Sequence, residues 1–189
     1  MTNRYYQIVL LLLMSLSISC ERDDICAEST STTPNLIIRF FDREDPDEED
    51  SKNVRQLEVR GFFSEDSIGD PIDLIEGVVR RDIDSISIPL RFDAEGVTAS
   101  STFQFVRNAD LDEDNDDESS SDIEILTFTY TPSFEYVSRA CGYKSVFELQ
   151  AGNEIRIETS DPDERWFSRV VVLNPNIDNE TDIHVAIFH

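Results

Sequence analysis

Five acidic side chains at alternate positions, Asp110, Asp112, Asp114, Asp116 and Glu118, make the chain's clearest array of potential ligands. Hard cations such as calcium suit that alternation, since calcium loops draw on positions one, three, five, seven and nine. The array departs from such a loop in three places. Asn115 stands where the bend wants Gly, Ser121 stands where a closing Glu belongs, and no helical pattern flanks either side. The eight carboxylates between Asp110 and Asp122 repel one another and favour a solvated loop. Weak calcium binding at these five residues, and no resident cofactor, is the expectation.

Catalytic chemistry finds little else to use. Only two histidines occur, His184 and His189. His184 alternates with Ile183 and Val185, which predicts an outward-facing surface position, and a surface position is expected for His189 as well. No serine sits in a nucleophile elbow, no Gly-rich phosphate loop is present, and no cluster has zinc-ligand spacing. Paired carboxylates of the kind that hydrolyse glycosides carry no information here, because forty acidic residues guarantee some pair at any required distance. The reading is therefore a protein that is not an enzyme. Trp166, Phe167, Tyr130, Tyr136 and Tyr143 offer an aromatic platform for a glycan or peptide, although aromatics in a strand-rich chain mostly fill the core.

The three cysteines divide by position. Arg4, an apolar run from Ile8 to Ile18 and the small residue Ser19 give a secretory leader ending at Cys20. That run is too short to span a bilayer as a helix. Ser17-Ile18-Ser19-Cys20 resembles the lipobox of bacterial lipoproteins, with Ser17 where Leu is usual. Glu21-Arg22-Asp23-Asp24 resembles the acidic signal that sends Bacteroidota lipoproteins to the outer face of the outer membrane. The expected organisation is a leader over 1–19, lipidation at Cys20, an acidic and Ser/Thr-rich tether over 20–34, and one domain over 35–189. Several acyl chains on one residue anchor stably where a single chain does not. In an oxidising compartment the remaining even pair, Cys26 and Cys141, is expected to form a disulfide. Closing so long a loop stabilises by about 4 to 5 kcal/mol in the chain-entropy model.

Forty acidic residues against sixteen basic ones give a formal charge of −24. Nucleic acid is excluded as a partner, because neutralising phosphates needs a basic surface. Anionic headgroups also repel this chain, so the membrane link must be the acyl anchor and the partner an envelope protein.

The elements that would hold these groups are strands. Leu57, Val59 and Phe63 alternate with Glu58 and Arg60, and Ile86, Ile88, Leu90 and Phe92 alternate with Ser87, Pro89 and Arg91. Similar runs cover Leu36 to Phe41, Thr102 to Val106, Ile123 to Tyr130, Glu154 to Glu158, Phe167 to Leu173 and Ile183 to Phe188. This period of two predicts about eight strands separated by turns such as Ala94-Glu95-Gly96 and Asn174-Pro175-Asn176. No helical stripe exceeds two turns, and Tyr136 to Leu149 fits neither period. The expected fold is all-β, an antiparallel immunoglobulin-like sandwich. Pro89 inside a strand pattern predicts a sheet edge.

The series Cys20 to Cys26, Thr33-Pro34 before Leu36 to Phe40, Ile88-Pro89-Leu90, and Tyr136 to Tyr143 resembles a family of small Bacteroidota envelope lipoproteins that form a domain of unknown function. The resemblance covers most of the chain after Cys20. It implies an envelope lipoprotein with two paired cysteines and no assigned activity, and it transfers no functional residue. The expected role is a lipid-anchored accessory or scaffold protein acting through protein contacts. A surface module binding glycan or calcium, or a hydrolase using carboxylates, are the other readings.

Overall fold

Leu36, Ile38 and Phe40 are fully buried while their neighbours Ile37, Arg39 and Phe41 are half-exposed. That alternation, in residues of high β-propensity, makes the first strand. The computed structural model describes residues 4–6, 26, 32–44, 50–75, 77–92, 94–110, 121–152, 155–158 and 165–189. Cys20, the apolar run from Ile8 to Ile18, and Asp112, Asp114, Asp116 and Glu118 lie outside the described residues.

Twelve strands are described. They are β1 (Leu36–Phe41), β2 (Val54–Ser64), β3 (Ser67–Pro71), β4 (Arg80–Ile83), β5 (Ser85–Ile88), β6 (Ala99–Arg107), β7 (Asp122–Ser138), β8 (Gly142–Leu149), β9 (Ile155–Ile157), β10 (Arg169–Val172), β11 (Asn176–Ile177) and β12 (Val185–Phe188). Each alternating run contains a strand, although Leu90 and Phe92 fall beyond the end of β5 at Ile88. The extra ones, β3, β4, β8 and β11, are short, polar or weakly alternating, so period two did not reveal them.

The chain separates into two units. The larger, Ser31–Glu135 with Lys144–His189, is a β-sandwich. Its four-stranded sheet runs β10-β12-β1-β5, and its larger sheet runs β11-β8-β7-β6-β2-β3, with β4 on β2 and β9 on β7. Pairing is antiparallel except between β1 and β12, which run parallel with Ile38 opposite Val185 and Phe40 opposite Ile187. β5 stops at Ile88, just before Pro89, and forms the sheet edge that a proline requires. Leu36, Ile38, Ile88 and Ile187 from one sheet meet Leu57, Phe105, Leu126 and Phe128 from the other in a single apolar core. Burial of this kind, at roughly 25 cal/mol per Å² of apolar surface, is the main driving force for the fold.

One carboxylate is buried on β2. Glu58 is held from two sides by the guanidinium groups of Arg60 and Arg80, the latter at 3.0 Å. The pairing makes burial of the charge tolerable, and only removing both guanidinium groups would leave it uncompensated.

The smaller unit comprises Met1–Thr30 with Tyr136–Tyr143. Within it Cys26 is bonded to Cys141, 115 positions on in sequence, with Cα atoms 4.8 Å apart. Cys141 lies in the tight turn joining β7 to β8, and the turn is completed by Gly142 at φ 72°, a left-handed conformation that glycine adopts without steric strain. The Cys141 amide also donates to Ser138 Oγ at 3.0 Å.

Candidate functional site

Basic residues scattered widely in sequence converge where β1, β6 and β12 end and β2 begins. Arg43 follows β1, Lys52 and Arg55 flank the start of β2, Arg107 ends β6, and Arg165 and His189 come from the segments before β10 and after β12. Together with Asn53, Asn108 and Trp166 they line a cleft of about 520 Å³. Five of the sixteen basic residues of a chain with charge −24 therefore share one cavity.

Carboxylates at the strand ends hold these cations in place. Arg55 grips Asp110 with both terminal nitrogens, at 2.8 and 2.6 Å, and also reaches Asn108 Oδ1 at 3.1 Å. The Arg55 guanidinium holds the Asp110 carboxyl below the usual carboxylate range, and Asp110 in turn raises Arg55. Arg107 donates to Asp122 Oδ2 through Nε at 3.0 Å and Nη2 at 2.9 Å, and lies over the Trp166 ring at 5.3 Å from its centroid. Asn108 takes a left-handed φ of 57°, which asparagine tolerates, and its Nδ2 donates to the same Asp122 oxygen at 3.1 Å. Lys52 pairs with Asp42 at 3.0 Å. The Glu44 amide, more than Lys52, lowers the Asp42 carboxyl.

The back wall is core. Trp166 is buried, packs on Phe40 and Phe167, and donates its backbone N–H to the fully buried Glu124 at 3.1 Å. His189 stands edge-on to Phe40 and Trp166 and places Nε2 3.3 Å from the Lys52 carbonyl. Burial pushes its imidazole below the ordinary histidine value.

Both histidines correct the expected surface placement. His184 is fully buried, its Nδ1 accepting from the Ile37 amide at 3.0 Å and its own amide donating to the Ile37 carbonyl at 3.1 Å. The reason is topological: β12 lies between β10 and β1, and all four of its residues are buried, so alternation near this strand does not mark an outer face.

The five acidic candidates are not brought together by described geometry. Asp110 is engaged by Arg55, the other four lie outside the described residues, and among the described residues no three His, Cys, Asp or Glu side chains gather as a metal site. The aromatic candidates separate. Trp166, Phe167 and Tyr130 are core residues, as expected, whereas Tyr136 and Tyr143 form an exposed edge-to-face pair with centroids 5.4 Å apart. The cleft itself was missed because its members are single basic residues between 43 and 189, with no local cluster to reveal them.

A model of a family described as one of unknown function, DUF6452, matches residues 57–189. The chain belongs to this family. The DUF6452 match starts inside β2, so it takes in Arg107, Arg165, Trp166 and His189 but leaves Arg43, Lys52, Arg55 and the whole of β1 ahead of it. Cys141 falls within the DUF6452 span and Cys26 outside it. No curated protein and no solved structure matches the chain.

Proposed function

We propose that this chain is a Bacteroidota outer-membrane lipoprotein, held by acyl chains on Cys20, that acts without catalysis as an accessory protein and binds through its basic cleft. The cleft is the observation that carries the binding role: in so acidic a chain, cations gathered and braced at one place mark the surface where charge is used for recognition. The disulfide between Cys26 and Cys141 supports residence in an oxidising compartment. The leader pattern and the lipobox-like residues before Cys20 support the anchor.

The anchor is tested by palmitate labelling and fractionation. Cys20→Ala is expected to abolish acyl labelling and to move the protein from the membrane to the soluble fraction. Undiminished labelling in that variant would overturn the reading. The exposed Tyr136 and Tyr143 pair favours a second reading, a glycan-binding surface, since paired tyrosine rings present apolar faces with polar edges. A glycan array probed with wild type and with a Tyr136→Ala/Tyr143→Ala variant separates the two, because the basic cleft is untouched.

A further inference from the structure

Resting on the reading of the cleft as the binding surface, we infer that it receives a compact phosphate-bearing anion, a phosphomonoester or diphosphate, and neither a polymer nor a lone carboxylate. The lining supplies mostly donors. Arg107 commits Nε and Nη2 to Asp122 and keeps its other terminal nitrogen. Lys52 gives one of its three protons to Asp42. Arg43 makes no ion pair among the described residues, and Asn53 adds an amide. Arg55, clamped on Asp110 and Asn108, serves as a brace.

Charge then selects the ligand. Among the described residues the cations of the lining are roughly matched by Glu44 and by Asp42, Asp110 and Asp122 beside it, so the cleft is far less negative than the rest of a strongly negative molecule. A polyanion longer than the cleft would meet the repulsion of the rest of the surface, which salt screens only beyond about 8 to 10 Å. A small anion within the cleft feels chiefly its walls. A single carboxylate has two oxygens and is satisfied by one guanidinium, as Asp110 is by Arg55. A phosphate group carries about −1.5 to −2 charges at neutral pH and three strong acceptor oxygens, so it can engage several separated donors at once and compete with the rim carboxylates for them. A cavity of about 520 Å³ has room for a diphosphate or a sugar phosphate.

The test is calorimetric titration of the full-length lipoprotein, purified in neutral detergent at low salt, with sodium pyrophosphate. Saturable one-site binding is expected, with Kd raised about tenfold or more by Arg43→Glu and by Arg165→Glu. Arg43 is exposed and its side chain makes no ion pair or hydrogen bond among the described residues, so an unchanged melting temperature in that variant separates lost binding from lost folding even if Arg165→Glu misfolds. Absence of binding, binding unaffected by Arg43→Glu, or equally tight binding of succinate would each overturn the inference. Competition by glucose 6-phosphate, or by phosphatidic acid doped into the micelles, supports it and tells a free phosphate from a lipid headgroup. Failure here with palmitate still on Cys20 would remove the phosphate site and leave the anchoring intact.

Discussion

A neutral imidazole is the form of His184 that its surroundings select. Nδ1 accepts from Ile37, so the proton sits on Nε2, which is buried with no acceptor among the described residues. Burial lowers its pKa below the ordinary 6.5, against the opposing pull of Asp182, Asp178 and Glu180. The unfolded chain therefore takes up a proton at higher pH than the folded one, and stability is fully present above about 6.5 and is lost as pH falls below it. Urea unfolding between pH 5 and pH 8 should show this decline, and His184→Ala should remove part of it. At neutral pH the same substitution should destabilise by about 2 to 4 kcal/mol, since it deletes a buried ring and leaves the Ile37 amide unmet. An unchanged pH profile in the variant would rule out His184 as a source of the decline. This side chain was misread in the sequence because Ile183-His184-Val185 has the pattern of a half-exposed strand. Only the neighbours of β12, one of them β1 from far upstream in the chain, reveal that the position is enclosed.

Among the elements, the β7–β8 hairpin depends most on a covalent link. In the chain-entropy model the bond between Cys26 and Cys141 stabilises by about 4 to 5 kcal/mol. Cys141→Ser should lower the melting temperature, and non-reducing peptide mapping of the wild type should recover Cys26 and Cys141 in one linked fragment. Free thiols at both positions in folded protein would contradict the pairing. The pairing was legible from a count of three cysteines with one expected to carry lipid, but the hairpin was not. Tyr136 and Tyr143 are exposed and Val137 half-buried, so the outer half of the segment carries no alternation; it returns only at Phe147, Glu148 and Leu149. β4 was hidden differently, because in Arg80-Arg81-Asp82-Ile83 it is pairing with β2 and the clasp on Glu58 that make a strand out of polar residues. Where a strand faces the core on one side, as β1 and β5 do and β7 does from Leu126 to Tyr130, the sequence pattern and the structure agree residue by residue, whereas at the start of β7 Ile123 is exposed and Glu124 buried.

At the scale of the whole molecule, a charge of −24 means that folding compacts like charges. Raising sodium chloride from about 20 to 200 mM shortens the Debye length and should raise the melting temperature by a few degrees. A fall in scanning calorimetry would mean that the ion pairs of Arg55, Arg107 and Lys52 outweigh the general repulsion. The total charge was plain from composition, but the basic cleft within it was not, since five single residues become neighbours only when four strand ends meet. The parallel pairing of β1 with β12 has a temporal consequence. A ribosome delivers Ile38 well over a hundred residues before Val185, its partner in the register, and contacts this distant in sequence are slow to form. Until the last strand emerges, β1 lacks its neighbour and the small sheet cannot close, so a nascent chain remains open for most of its synthesis. Such a late-closing topology makes completion of the small sheet the last event in the folding of the chain.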